Sequence, residues 1–158
     1  MNNVGTAVPK PFEETTLEEI DRVININLRS VFVVTQAVLK RMNNNGRIII
    51  IGSCVGERNL TPGLTAYAAT KGAVRMFTQS LSREVGNRGI TVNNVQPGPI
   101  DARLSPADGD WAKPQKAVMA LDRYADVDEV AALVAFVAGP ESSYITGANL
   151  TVDGGTNA

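Results

Sequence analysis

The sequence of 158 residues contains no histidine and only one cysteine, Cys54. Without histidine the chain cannot build histidine-based catalytic triads or the commonest zinc sites, so we expect no metal centre. A single cysteine excludes an intrachain disulfide and is typical of a reducing compartment, which predicts a cytoplasmic location. We expect Cys54 to be a small buried residue rather than a nucleophile, because no histidine is present to activate it.

Excess charge of either sign is also lacking. Fifteen lysines and arginines against sixteen acidic residues leave a net charge of −1, which gives no basic surface for nucleic acid or an anionic membrane. Apolar runs such as residues 48–51 are far too short to span a bilayer, and residues 1–5 lack the basic and apolar regions of a signal peptide. With 44% hydrophobic residues, the chain is predicted to be one globular domain over residues 1–158.

Two sequences of the capping-box type begin predicted helices. The first is Thr16 to Glu19, followed by an apolar stripe at helical spacing that is expected to end near Met42. The second is Asp126 to Glu129, which begins a helix that ends at Gly139-Pro140. Between them, residues 66–85 lack proline and predict a further helix. Residues 99–120, with three prolines, are expected to be irregular.

Three short segments read as strands: residues 47–52, 90–95 and 149–153. Because helices and strands alternate along the chain, the pattern predicts an α/β fold, a three-layer Rossmann-like parallel sheet of about three strands with flanking helices. The strand at residues 48–51 is expected to lie at an unpaired edge. An exposed apolar edge of this kind favours pairing with another chain.

A serine, a tyrosine and a lysine form the most informative motif. Ser53 follows a predicted buried strand, at the end of the sheet where open α/β proteins bind ligands. Tyr67 and Lys71 are four residues apart and therefore share one helix face. A tyrosine beside an ammonium group is a candidate acid and base for a carbonyl/alcohol pair, and we expect the cation to lower the pKa of Tyr67.

With these residues, the chain resembles the C-terminal two-thirds of a short-chain dehydrogenase/reductase, close to the 3-oxoacyl-carrier-protein-reductase-like members. The ordered set of motifs that carries the resemblance is Asn2 to Gly5, Asn27, Ser53, Tyr67 with Lys71, Pro97 to Ile100, and residues 145–155. A Tyr-x-x-x-Lys spacing alone is a weak signal, whereas the ordered set is strong.

The resemblance implies roles for individual residues. The catalytic set would be Asn27, Ser53, Tyr67 and Lys71, and the cofactor-binding set would be Asn3, Tyr67, Lys71, Pro97, Gly98 and Ile100, with NADP or NAD as the cofactor. Asn27 would kink its helix and hold a water leading to the lysine. Asn25 is a nearby competitor for that assignment, and simple surface polarity is the alternative explanation of either residue.

Two departures from the family pattern affect the cofactor. The sequence contains no Gly-x-x-x-Gly-x-Gly loop, so the chain is interpreted as N-terminally truncated and cofactor binding is expected to be weakened. Ala102 stands where many members carry a threonine that helps fix the cofactor. Residues 99–120 match the substrate lid, in which Trp111, Met119 and Leu121 either face an apolar substrate or pack on the body.

The resemblance implies an NAD(P)-dependent oxidoreductase that reversibly reduces carbonyls or oxidises alcohols of small molecules, with Tyr67 as general acid/base. The alternative is a catalytically silent truncated homologue that acts as an oligomerisation or nucleotide-binding module. Family members assemble through the helix that carries the tyrosine and lysine and through the C-terminal strand, so a homo-oligomer, a dimer or tetramer, is expected. Affinity for the cofactor separates the two hypotheses.

Overall fold

The three predicted strands form one parallel sheet in the computed structural model, which describes residues 1–103 and 105–158. The strands are β1 (Arg47–Ile51), β2 (Thr91–Pro97) and β3 (Asn149–Val152), in the spatial order β1-β2-β3. Ile48 lies opposite Val92, and Val95 lies opposite Leu150. The predicted fold class is confirmed, with each strand within two residues of its expected bounds.

Helices connect and flank the strands. They are α1 (Leu17–Ile24), α2 (Ser30–Leu39), α3 (Thr65–Val85), α4 (Ala112–Lys116) and α5 (Val127–Ala138). Both predicted capping boxes are formed, since the side chains of Glu19 and Glu129 accept hydrogen bonds from the main-chain N–H groups of Thr16 and Asp126 at 2.9 Å. No helix in the described part of the chain is both long enough and apolar enough to cross a membrane.

Two apolar clusters cover the two faces of the sheet, because successive strand side chains point to opposite faces. On one face, Ile50 and Val92 pack with Val74 of α3 and Val31 of α2. On the other, Ile49 and Val95 pack against Val137 of α5. The sheet therefore lies between two helical layers, with its core residues almost fully buried.

The first long helix is interrupted and ends earlier than predicted. A π-helical turn over Asn25–Arg29 separates α1 from α2, and α2 ends at Leu39 rather than near Met42. Arg88, which follows α3, reaches this end: its guanidinium donates to the Leu39 carbonyl at 3.3 Å and to the Met42 carbonyl at 2.5 Å. A cation at a helix C-terminus satisfies carbonyls that have no partner within the helix.

The outer edge of β1 is partly covered by the N-terminal segment. Asn2 pairs with the strand in parallel, donating its N–H to the Ile49 carbonyl and accepting from the Ile51 N–H, both at 2.9 Å. Among the described residues, no further strand pairs with this edge, so β1 is an edge strand as predicted. The sheet edge is therefore closed only beside the C-terminal end of β1.

The segment at residues 99–120 contains more regular structure than expected. It includes the short helix α4, and Ile100 forms a bridge with Ala125 just beyond the segment. Met119 is buried with Ala112 and Tyr124 in a small separate cluster. The described part of this segment is irregular outside α4, as predicted, and the short helix is the difference from the prediction.

Arg88→Ala should lower the free energy of unfolding by about 1–2 kcal/mol, because it removes two hydrogen bonds from a charged donor at the end of α2. Arg83→Ala is the matched control, since Arg83 is exposed on α3; its effect should stay within about 0.5 kcal/mol. Urea denaturation of both variants measures the difference. Equal stabilities would show that the contact of Arg88 with α2 contributes nothing.

Candidate functional site

A cavity of about 620 Å³ opens beyond the carboxyl ends of β1 and β2. Ser53, Tyr67 and Lys71 line it, together with the predicted cofactor residues Asn3, Pro97, Gly98 and Ile100. Asn27 does not line the cavity. The structure therefore brings together every predicted site residue except Asn27, which lies behind Lys71.

Ser53 is held in extended backbone directly after β1. Its φ is −169°, and its hydroxyl accepts a hydrogen bond from the Val55 N–H at 3.3 Å, which caps a short 3₁₀ turn over Cys54–Gly56. The residue is buried apart from its edge on the cavity. The strand end and the turn together fix the direction of the hydroxyl-bearing side chain.

Tyr67 and Lys71 lie in the first turns of α3 and face the end of β1. The Lys71 side chain is 4% exposed, and its Nζ donates to the Ile51 main-chain carbonyl at 3.0 Å. The same Nζ lies 5.6 Å from the centre of the Tyr67 ring. Lys71 thus joins the helix that carries the tyrosine to the strand that carries Ser53.

Burial is the main cause of the changes in the pKa values of Tyr67 and Lys71. Loss of water around the ammonium lowers the pKa of Lys71 from 10.5 to about 8. Burial raises the pKa of Tyr67, and the neighbouring Ser53 hydroxyl acts in the opposite direction. The expectation that Lys71 lowers the pKa of Tyr67 was wrong for the chain without a cofactor, because desolvation of the phenol is the largest effect.

Asn27 links the N-terminal segment to α3. Its Oδ1 accepts from the Thr6 N–H at 2.8 Å, and its Nδ2 donates to the Thr6 carbonyl at 2.9 Å and to the Thr70 hydroxyl at 3.1 Å. Asn27 is 1% exposed and lies in the π-helical turn, whereas Asn25 is exposed. The helix changes to a π-helical turn at this point, and the buried residue of the two candidates is Asn27.

The end of β2 approaches the C-terminal segment closely. A Cβ at Gly98 would lie 2.6 Å from the Cα of Asp153, so only glycine fits between these two backbones. Ala102 also lines the cavity. Its methyl group provides no hydrogen bond where a threonine hydroxyl was the expected family residue.

Two remaining expectations concern apolar residues and the cysteine. Trp111 lines the cavity at 50% exposure, whereas Met119 packs on Ala112 and Leu121 is exposed outside the cavity wall. Of the two interpretations of the lid residues, the substrate-facing one fits Trp111 alone.

Cys54 is buried, and burial raises the pKa of its thiol to about 11, which agrees with a packing role.

Several residues that position the site were not predicted from the sequence. Thr6 and Thr70 hold Asn27, Gly56 lies against the backbone of Lys71, and Asn157 donates to the Cys54 carbonyl at 2.8 Å. Only Thr70 had a local signal, because it lies between Tyr67 and Lys71 in the motif. The other contacts join segments that are far apart in the chain.

Known proteins match this chain over almost its whole length. Residues 1–157 match the family model described as enoyl-(acyl carrier protein) reductase. The chain is 41% identical, over 99% of its length, to a cyclic-di-GMP-binding biofilm dispersal mediator protein of Escherichia coli K12, of which it covers 66%.

Solved structures agree closely with this chain. A blue fluorescent protein from a metagenomic library, in complex with NADPH, superposes with a TM-score of 0.97 at 48% identity. A short-chain dehydrogenase of Burkholderia cenocepacia J2315, in complex with NADP, gives a TM-score of 0.97 at 46% identity. Each comparison covers 99% of this chain and 64% of the other, so the chain spans just under two thirds of these relatives.

The stability of the chain should rise between pH 8 and 9. In this range the unfolded Lys71, with a pKa of 10.5, holds a proton that the folded form, with a pKa of about 8, releases. The unfolded state therefore binds more protons, and the free energy of unfolding increases with pH at a slope below the limit of about 1.4 kcal/mol per pH unit for one proton. Above pH 9 the rise should stop, because the pKa of Cys54 changes from 9.0 unfolded to about 11 folded, which has the opposite sign.

Urea denaturation across this pH range tests the assignment with two variants. Lys71→Met should remove the rise between pH 8 and 9, and Cys54→Ala should let the rise continue towards pH 10. A rise that persists in Lys71→Met would assign the effect to another group.

Gly56→Ala should destabilise the chain by about 1–3 kcal/mol, an effect typical of overpacking. The new Cβ would lie 2.6 Å from the carbonyl carbon of Lys71, and neither backbone can move cheaply. Gly86→Ala is the matched control, since it has open space around it and a φ of −60°; it should be neutral or stabilising by up to about 1 kcal/mol. Equal losses of thermal stability in both variants would contradict the close approach of residue 56 to α3.

Proposed function

The chain belongs to the short-chain dehydrogenase/reductase family, and from this premise we propose that it interconverts a carbonyl compound and its alcohol by hydride transfer with NADP or NAD. The observation that carries the proposal is the shared cavity lined by Ser53, Tyr67 and Lys71. A hydroxyl, a phenol and a buried amine meet there beyond the end of a parallel sheet, where ligands of such folds bind.

Tyr67 is the proposed proton donor to the carbonyl oxygen. Without a ligand the pKa of Tyr67 is raised, so the phenol is protonated near neutral pH and is able to donate. Ser53 would donate its hydroxyl proton into a hydrogen bond with the same oxygen, which stabilises the negative charge that develops there. In the reverse direction the phenolate form of Tyr67 accepts the proton of the alcohol.

Lys71 and Asn27 would support this proton transfer. The ammonium lies beside the Tyr67 ring, and with a pKa of about 8 it can exchange protons near neutral pH. Asn27 is held rigidly by Thr6 and Thr70. We propose that it keeps the N-terminal segment and α3 in register around the lysine, and that water reaches Lys71 from this side.

The residues present fit the nicotinamide end of the cofactor. Asn3, Pro97, Gly98 and Ile100 line the cavity beside Lys71 and would hold the nicotinamide and its ribose. When bound, the cofactor supplies or accepts the hydride, and the protein supplies orientation and electrostatics. Solved relatives in complex with NADPH or NADP support this assignment.

The sequence offers fewer contacts to the phosphate end of the cofactor than to its nicotinamide end. The printed sequence has no Gly-x-x-x-Gly-x-Gly loop, which in dinucleotide-binding folds holds the pyrophosphate at a helix N-terminus. Ala102 removes one further hydrogen bond, which is worth about 0.5–1.5 kcal/mol. We therefore propose that the chain by itself binds the cofactor weakly.

We propose that the chain forms a homo-oligomer through the outer surfaces of α2 and α3. Phe32 and Phe77 bring the two helices together with ring centres 4.7 Å apart. Around them several large apolar side chains are 42% to 62% exposed: Phe32, Val33, Val34, Val38 and Met76. Exposed apolar patches of this kind mark interaction surfaces. The same exposed apolar surface favours a second candidate function, a catalytically silent oligomerisation or binding module.

Tyr67→Phe should reduce ketone reduction by about 10²–10⁴-fold, because it removes the proton donor and leaves the cavity shape unchanged. Tyr144→Phe is the matched control, since Tyr144 is fully exposed and does not line the cavity. NADPH binding, followed by nicotinamide fluorescence, should remain detectable in both variants, and turnover is measured with methyl benzoylformate.

Substantial turnover by Tyr67→Phe would overturn the role of the tyrosine. Absence of NADPH and NADH binding at millimolar concentration would overturn the proposed activity of this chain alone. That result would favour the silent module.

A further inference from the structure

Arg58 lies at the wall of the same cavity and has no assigned role. It follows the 3₁₀ turn that begins at Ser53, and it lines the cavity together with Ser53 and Tyr67. One of its N–H groups donates to the main-chain oxygen of Ala158 at 3.3 Å. Within residues 1–103 and 105–158, Arg58 forms no ion pair with an aspartate or glutamate, and the other guanidinium donors have no protein partner.

The charged side chains that line the cavity are all positive. None of the described residues that line it is an aspartate or glutamate, and the charged side chains are those of Arg58 and Lys71. Lys71 is already bonded to the Ile51 carbonyl, and its lowered pKa makes its charge conditional on pH. The guanidinium of Arg58, which is not bonded to β1, is the other positive charge of the wall.

The remaining wall on this side is largely apolar. Leu60 and Leu64 follow Arg58 in the chain, and Trp111 and Val118 belong to the segment around α4; all four line the cavity. A cavity of this composition binds an apolar body and uses a few polar groups to orient it. A guanidinium with free donors recognises a planar oxyanion through paired hydrogen bonds.

We propose that Arg58 is a specificity-determining residue that selects carbonyl substrates carrying an oxyanion group, a carboxylate or a phosphate, together with an apolar portion that contacts Trp111. The inference rests on the proposed function, because it treats the cavity as the substrate site. Arg58 binds the oxyanion and thereby orients the carbonyl towards Ser53 and Tyr67.

Two matched pairs of ketones test the inference by binding alone. Benzoylformate is compared with its methyl ester, and dihydroxyacetone phosphate with dihydroxyacetone, so that each pair differs in the anionic group. Trp111 is the only tryptophan of the chain and lines the cavity, so its fluorescence reports binding without cofactor or turnover. The titrations use the full chain, Arg58→Gln, Arg58→Lys, and the control Arg83→Gln, which changes an exposed arginine on α3.

In the unchanged chain and in Arg83→Gln, at least one anionic probe should bind about tenfold more tightly than its neutral partner. Arg58→Gln should bring that ratio close to one, and Arg58→Lys should keep a preference of a few-fold. Because Arg58 is exposed, added salt should reduce the preference by screening. The pair that shows the effect distinguishes a carboxylate from a phosphate.

An anion preference that survives in Arg58→Gln, a neutral probe that binds as tightly as its anionic partner, or a lack of saturable binding by both anions would each overturn the inference. The outcomes also distinguish failure of this inference from failure of the proposed function. If turnover is absent but anion binding depends on Arg58, the oxyanion site stands without the reductase; if neutral ketones are reduced and Arg58 has no effect, the reductase stands without this selectivity.

Discussion

The hydrogen bond between the Lys71 ammonium and the Ile51 carbonyl is the contact on which the site depends. It joins the first turns of α3 to the last residue of β1 at 3.0 Å, and so fixes the position of Tyr67 relative to Ser53. An amine with only 4% exposure tolerates burial because this carbonyl replaces part of its lost hydration. The same burial lowers the pKa of the amine to about 8. The packing of Lys71 and its lowered pKa therefore have one cause.

Polar side chains inside the sheet hold the second half of the site. Asn93 of β2 is fully buried, donates to the Ile145 carbonyl at 2.8 Å, and accepts from the Ala148 N–H at 3.1 Å. Buried amides of this kind require their partners, since an unpaired polar group in a core is costly. The turn before β3 is thereby fixed, and β3 carries Asp153 to its close contact with Gly98. The end of β2 at the cavity is shaped by the residues that follow β3.

Local patterns in the sequence predicted most of the fold, and long-range contacts account for what it did not predict. The capping boxes at Thr16 and Asp126 depend on residues three positions apart, and both formed as expected. The end of α2 was misplaced because Arg88, from another part of the chain, caps it. The pKa of Tyr67 was predicted with the wrong sign because its burial depends on the folded surroundings. Thr6, a partner of Asn27 from another segment of the chain, had no signal in the sequence for the same reason.

The parallel register of the sheet has a consequence for how the chain folds. Asn94 lies opposite Asn149, which follows it by 55 residues, and the side chains of the two join at 2.8 Å. Pairings of this separation require closure of a long loop before any contact compensates for the lost chain entropy. During synthesis on the ribosome, β1 and β2 emerge well before β3. The cluster of Val95, Val137 and Leu150 therefore matures late, and one edge of β2 stays unpaired until β3 has emerged.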